Sequence, residues 1–143
     1  MELSQFTDYS LRVLIHAALR GKELSSVKEI ADAYAISRNH LVKVVHNLAK
    51  LGYLDTFRGK GGGITLAKSP KDIGVGELVR ATESLAILEC FPSGKGTCCI
   101  AGACELQLVL NKALKAFMDE LDKVTLADLM KRNPTMRDRL KID

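Results

Sequence analysis

Four cysteines fall between residues 90 and 104 of the chain: Cys90, Cys98, Cys99 and Cys104. Cys90, Cys98 and Cys104 follow a C-x7-C-x5-C spacing, and Cys99 adjoins the middle one. The residues between them include one proline and three glycines, a composition typical of a flexible loop. Such a loop can fold several thiolates around one metal centre.

The cysteine spacing leaves three chemistries open. Zinc sites favour close C-x2-C pairs, which this chain lacks, whereas spaced thiols on glycine hinges fit an iron–sulfur cluster better. A thiol redox switch is the third reading of the same residues. Spacing alone does not choose among zinc, a cluster and a redox switch.

The composition predicts a folded protein. The 143 residues fit one domain, or a small domain with an oligomerisation element, and 47% of them are hydrophobic. The chain shows no N-terminal signal segment and no apolar run as long as a membrane span, so we expect a cytoplasmic location and no membrane partner. In that compartment clustered thiols are more often metal ligands or redox groups than disulfides.

Positive charge is concentrated in the first half of the chain. Residues 1–70 carry 10 Lys/Arg against 6 Asp/Glu, whereas residues 71–143 carry 11 of each. Residues 36–68 hold six basic side chains and one acid, an excess of +5 that is typical of a surface facing phosphates. The aromatic share of 5% argues against a single-strand binder built on base stacking.

Residues 1–70 are predicted to form a winged helix-turn-helix, in a fold class that is mainly α with a small β-hairpin. Apolar periodicity predicts helices over about 6–21, 27–34 and 37–51 and strands at 53–57 and 64–67. Ser26 with Glu29 forms a capping box for the second helix, and Gly52 ends the third. The six residues 58–63 make a basic, glycine-rich hairpin tip.

Residues 71–143 are predicted to hold a short helix at about 75–83, the cysteine loop at about 90–104 and a long helix at about 104–122. The long helix has an a/d-like apolar seam at Leu106, Leu110, Ala113, Phe117, Leu121 and Val124. A second copy of the chain in a twofold dimer is the expected partner of this seam, and the chain's own first helix is the alternative. Thr125 with Asp128 starts one more short helix, and the basic end from Lys131 is predicted to be a frayed tail.

Candidate DNA-binding residues occupy two segments of the first section. The N-terminal part of the second helix of a helix-turn-helix enters the major groove, and here it carries Ser37, Arg38, Asn39, His40 and Lys43. Asparagine suits adenine and arginine suits guanine. The hairpin tip adds Arg58, Lys60, Gly61 and Gly62, where glycines allow close approach to the duplex. A dimer with two such units predicts a palindromic double-stranded operator.

Several segments carry a resemblance to a known family. Residues 6–9 (FTDY) with Leu11 and Arg12, the string SRNHLVK at 37–43, RGKGGGI at 58–64 and TLADL at 125–129 continue in register with the three spaced cysteines. Together they resemble the iron–sulfur-cluster winged-helix transcriptional repressors of the IscR/NsrR family, and most of all its nitric-oxide-sensing branch. The resemblance covers nearly the whole chain.

The resemblance implies a homodimeric repressor, and no enzyme, with one cluster in each protomer, [4Fe–4S] or alternatively [2Fe–2S]. It implies Cys90, Cys98 and Cys104 as ligands, with Asp8 of the other subunit as the fourth, and nitric oxide as the effector that releases the operator. Cys99 is then a spare thiol, although it could replace Cys98. Two features depart from relatives: Cys99 adjoins Cys98, and the Cys90–Cys98 spacer is longer. In addition, Gln107 stands where some relatives carry a histidine ligand.

Other interpretations of the same residues remain. A winged-helix regulator with a zinc site or a thiol/disulfide switch would be colourless, and an iron-supply or oxygen-sensing regulator would use the same cluster. An electron-transfer or catalytic iron–sulfur protein is less consistent with a basic wing. Asp8 itself, judged without the resemblance, is an ordinary acid in a first helical turn.

Overall fold

The computed structural model describes residues 2–91, 94, 96–131 and 135–142. Pro92, Ser93 and Lys95 of the predicted cysteine loop, and residues 132–134 of the predicted tail, lie outside these ranges. The described elements are, in order, α1 (Gln5–Arg20), α2 (Val27–Tyr34), α3 (Arg38–Lys50), β1 (Leu54–Phe57), β2 (Gly63–Leu66), a 3-10 turn (Pro70–Asp72), α4 (Val75–Thr82), α5 (Glu105–Asp122), α6 (Leu126–Lys131) and α7 (Met136–Arg139). The predicted fold class, mainly helical with one hairpin, is confirmed.

Local signals set the helix ends. The capping box of α2 is present: the Ser26 hydroxyl accepts from the Glu29 amide at 3.1 Å, and the Glu29 carboxylate accepts from the Ser26 amide at 2.6 Å. Gly52, with φ of +79°, follows α3 in the left-handed conformation that glycine adopts without strain. The capping box fixes the start of α2, and the glycine follows the end of α3.

Helices α1, α2 and α3 enclose the main core. Helix α3 contributes its predicted apolar face, and both α1 and α2 pack against it. The buried residues of this part are Val13, Leu14, Ala17, Ile30, Ala31, Leu41, Val44, Val45 and Leu48. The opposite, polar face of α3 is thereby turned towards solvent.

The β-hairpin is tied to the loop before α2. Strands β1 and β2 pair antiparallel, with Leu54 opposite Leu66 and Phe57 opposite Gly63. The Ser25 amide donates to the Ile64 carbonyl at 2.9 Å, and the Ile64 amide donates back at 2.8 Å. The wing therefore has a fixed position relative to the helix-turn-helix.

The second section adds to the same core. Ile73, Leu78 and Leu126 are buried with residues of α1, and α6 packs on α1. Helix α4 joins α1 to α5, and a Cβ on Gly76 would overlap Asp122 of α5. Arg80 donates to both carboxylate oxygens of Asp122 at 2.6 and 2.7 Å. No helix in the described ranges is both long and apolar enough to cross a membrane.

The C-terminal end differs from the predicted frayed tail. Residues 135–142 contain the short helix α7, and the Ile142 amide donates to the Arg137 carbonyl at 3.0 Å. Ile142 is 7% exposed, so this segment folds back on the domain. A four-residue helix is too short for apolar periodicity to predict it. The buried apolar residue of this segment is Ile142, which follows the helix.

His16 is a buried polar residue of α1. Its Nδ1 lies 3.1 Å from the Ser25 hydroxyl, and its ring meets the Tyr34 ring edge-on at 6.5 Å between centroids. Burial, reinforced by the nearby Arg20 charge, lowers the pKa of His16 below its ordinary value. Folding therefore favours the neutral form of the His16 ring.

We predict that acidification destabilises the fold through His16. Because its pKa is lower in the folded chain than in the unfolded chain, stability is lost as pH falls through the unfolded value near 6.5, with a slope of at most about 1.4 kcal/mol per pH unit. Urea unfolding at pH 7.5, 6.5 and 5.5 measures this slope. The His16→Gln variant should lose this dependence of stability on pH. If the slope is unchanged in that variant, other titrating groups cause the loss of stability in acid.

Candidate nucleic-acid interface and metal-binding loop

The first turn of α3 presents the predicted recognition residues to solvent. Ser37, Arg38, Asn39, His40 and Lys43 are all exposed, on the side opposite the buried face of the helix. The Ser37 side chain makes no capping hydrogen bond, so the first-turn amides have no partner from it. Such amides suit a phosphate oxygen.

The wing tip combines two exposed cations with a tight glycine turn. Arg58 and Lys60 are exposed, and Gly59 and Gly61 have φ of +93° and +81°. A Cβ on Gly62 would overlap the Phe57 carbonyl oxygen, so this position has no room for a side chain. The glycines therefore shape the tip itself, in addition to allowing close approach to a duplex.

Aromatic contacts join α1 to the start of α3. The Tyr9 and His40 rings stack with centroids 6.4 Å apart beside Lys43. The Arg12 guanidinium lies 5.9 Å from the Tyr9 centroid and 5.6 Å from the Tyr34 centroid. These contacts of Tyr9, Arg12 and Tyr34 were not among the predictions from the sequence.

Asp8 is bound by Arg12 within the protomer. Its Oδ1 accepts from Arg12 Nε at 3.0 Å, and its Oδ2 lies 2.8 Å from Nη2. Both side chains are about two-fifths exposed, at 43% and 39%. Asp8, first by its hydrogen bond and then by its charge, raises the pKa of Arg12. The i, i+4 spacing of acid and arginine was the signal in the sequence for this pair.

The four cysteines are free thiols at the entrance to α5. Cys90 and Cys104 are half-buried, and Cys98 and Cys99 are exposed. Gln107 Nε2 donates to the Cys90 carbonyl at 3.1 Å, which fastens the start of the loop to the first turn of α5. Cys104 is the residue immediately before that helix, and its side chain makes no capping bond.

This donor set fits a thiolate-bound metal or cluster. Four thiols without disulfides supply soft ligands. Within the described residues, however, no three Cys, His, Asp or Glu side chains are grouped as a metal site. The Cys90 backbone and Cys104 lie at the start of α5, and Cys98 is exposed.

The N-terminal half of α5 exposes apolar side chains. Leu106, Leu108 and Val109 are 57%, 55% and 60% exposed, whereas Met118 in the other half is buried. Within the chain α5 packs against α4. The predicted seam is therefore half-buried at Leu110 and from Phe117 onwards, and exposed at Leu106 and Ala113.

A helix-turn-helix with an exposed polar first turn and a fixed basic wing defines a class of protein, the winged-helix DNA-binding proteins. The family model named Rrf2, described as an iron-dependent transcriptional regulator, matches residues 3–132. The chain belongs to the Rrf2 family of transcriptional regulators. It is a DNA-binding regulator and not an enzyme, as predicted.

Relatives and solved structures agree with this family. The HTH-type transcriptional regulator NsrR of Bacillus subtilis (strain 168) is 51% identical over 144 residues, covering 99% of each chain. NsrR of Geobacillus kaustophilus is 45% identical over 143 residues, covering 99% of this chain and 97% of that one. The structure of T. potens IscR has a TM-score of 0.73 and 28% identity, covering 92% of this chain and 88% of that one. CymR of B. subtilis, at 24% identity and a TM-score of 0.75 over 93% and 98% of the two chains, shares the fold.

Proposed function

We propose that this protein is a homodimeric repressor that binds its operator with an intact iron–sulfur cluster and releases it when nitric oxide reacts with that cluster. The observation that carries the proposal is the free-thiol loop fastened to the start of α5 in a member of the Rrf2 family. Its resemblance to nitric-oxide-sensing repressors, and its 45–51% identity to proteins named NsrR, support the choice of effector.

Cys90, Cys98 and Cys104 are the proposed ligands. Two of them already lie at the N-terminus of α5, so binding requires the exposed turn with Cys98 to fold towards that helix end. When bound, a [4Fe–4S] cluster supplies iron that reacts with nitric oxide. Cys99 is exposed beside Cys98 and is the spare thiol in this proposal.

Asp8 of the partner subunit is the proposed fourth ligand. Within its own protomer this carboxylate is held by Arg12 on two oxygens, so it has two alternative cationic partners: its own Arg12 and the iron of the other subunit. An exposed ion pair is worth only about 0.2–1 kcal/mol, so Arg12 does not prevent the exchange. Arg12 instead offers a place to which the released Asp8 returns.

The exposed half of α5 is the proposed dimer surface. Leu106 and Val109 lie one turn apart on the same helix, next to the cysteine loop, and Ile100 of that loop is 56% exposed. A second copy that covers these side chains would lie against the cluster loop. In the proposed dimer, the α1 helix of the second copy reaches the cluster loop at this surface.

We expect anaerobically purified protein to be brown, and nitric oxide to bleach its absorption band in proportion to the loss of operator binding. The operator is first selected by the protein from a random duplex pool, and binding is then followed by fluorescence anisotropy on the sample that gives the spectrum. A colourless protein with zinc or a disulfide would favour the thiol-switch alternative. A brown protein whose DNA affinity ignores nitric oxide would contradict the gating.

Cys98 and Cys99 provide a matched pair of variants for the same experiment. Both thiols are exposed neighbours on one turn, so the two serine substitutions disturb the fold equally. Cys98→Ser should lose the cluster, whereas Cys99→Ser should keep both the spectrum and the nitric-oxide response. The reverse result would assign Cys99 as the middle ligand.

We predict opposite effects of Asp8 and Arg12 on cluster lability. Asp8→Ala removes a ligand and should speed cluster loss to a chelator, whereas Arg12→Gln removes the competitor for Asp8 and should slow it. The Lys28→Gln variant is the control, because it removes an equally spaced pair with Asp32 at 2.7 Å on α2. If the rate of cluster loss is unchanged in both test variants, Asp8 is not a ligand.

DNA binding should respond differently to the wing and to the recognition helix. Lys60→Gln and Arg58→Gln each should lower the slope of log affinity against log salt by about 1, because each removes one phosphate contact. Asn39→Ala should cost about 1–3 kcal/mol and relax specificity at one base pair. Lys112→Gln, an exposed cation on α5, is the control and should change neither quantity.

A further inference from the structure

A groove of about 350 Å³ lies between the C-terminal segment and the first two helices. His16 and Arg20 of α1 form one wall, Glu29 and Asp32 of α2 another, and residues 139–142 the third. It is separate from the cysteine loop and from the predicted recognition residues, none of which lines it. Its volume falls in the range of small-molecule sites.

The uncommitted charge of this groove is positive. The Glu29 carboxylate already accepts the capping hydrogen bond from the Ser26 amide at 2.6 Å, and Asp32 is paired with Lys28 at 2.7 Å. Arg139 and Lys141 have no ion pair with any residue in the described ranges. Both acids on the wall therefore have partners, while two of the three cations have no ion-pair partner among the described residues.

Arg20 has a buried donor without an acceptor. Its Nε is buried and makes no hydrogen bond within the described part of the chain. Its Nη1 and Nη2 lie 3.5 Å from Glu23 and 3.6 Å from Glu29, beyond the length of about 2.7–2.9 Å typical of charge-assisted hydrogen bonds. A buried donor left in this state costs free energy that an incoming acceptor would recover.

We propose that this groove binds a small organic anion with a carboxylate or phosphate group. The Arg20 side chain turns towards the groove so that its Nε, which is otherwise buried, donates to one anion oxygen. Arg139 and Lys141 contact the remaining negative charge from the opposite wall. The pocket needs no metal and no cysteine, so the proposal is independent of the cluster.

The position of the groove gives such an anion a route to DNA binding. The ligand would bridge the C-terminal segment to α1 and α2, and α2 is the first helix of the helix-turn-helix. His16 on the same wall contacts Ser25, which is paired with Ile64 of the wing. A bound anion would therefore hold the C-terminal segment against the winged helix-turn-helix, which carries both the recognition helix and the wing.

The test is a titration of the full-length, 15N-labelled chain, followed at the Arg20 Nε–H resonance, which is assigned by its loss in Arg20→Lys. Inorganic phosphate and succinate are added separately, with chloride at matched ionic strength. We expect a saturable shift of this resonance with phosphate or with succinate and none with chloride. The anion that binds more tightly identifies the group that the site prefers.

Two variants decide whether the groove is the site. The double variant Arg139→Gln, Lys141→Gln should weaken binding by about 3- to 10-fold, as expected for two partly exposed ion pairs. Lys22→Gln is the control, because Lys22 is an exposed cation just after α1 that does not line the groove. The proposal is overturned if neither anion gives a saturable shift, or if Lys22→Gln weakens binding as much as the double variant.

Discussion

The packing of α1 is the constraint on which the rest of the structure depends. Val13, Leu14 and Ala17 are at most 1% exposed, and the helix contacts α3, β2, α4 and α6. Deep burial on one side fixes its rotation, because turning it would expose apolar area worth about 25 cal/mol per Å². Asp8 at one end and Arg20 at the other consequently have fixed positions relative to the recognition helix and to the C-terminal segment.

The sequence predicted the elements whose signals are local. The capping box at Ser26 and Glu29, the glycine after α3 and the hairpin residues specify their own conformations, and each is present in the structure. The short helix α7 and the burial of Ile142 depend on contacts with distant elements, which no periodicity reports. The Asp8–Arg12 pair has a visible i, i+4 spacing, yet spacing alone does not show which of two partners the carboxylate prefers.

The cysteine loop shows why a site can be predicted from composition without its geometry being predictable. Its described hydrogen bonds are short-range, such as Ala101 to Cys98 at 3.1 Å, and Gln107 fastens only its beginning. These hydrogen bonds of the described loop residues therefore do not hold Cys98 near Cys104. In such loops the metal–ligand bonds themselves supply the ordering free energy, so ligand geometry follows from binding. Leu106 and Val109 beside the loop are exposed in the same way, and in the proposed dimer a second copy covers them.

Magnitudes indicate where the proposed switch stores its free energy. Moving promoter occupancy between mostly bound and mostly free requires a coupling of several kcal/mol. The exposed Asp8–Arg12 pair supplies at most about 1 kcal/mol of this, so re-forming this pair cannot by itself be the energy source. In the proposed switch, the larger contribution comes from a change in the packing of the apolar face of α1 on α3. The Tyr9 and His40 ring centroids lie 6.4 Å apart, so a shift of the first turns of α1 would also move the start of the recognition helix. In this proposal Asp8 couples the cluster to α1, and the buried face of α1 transmits the movement to the DNA-binding surface.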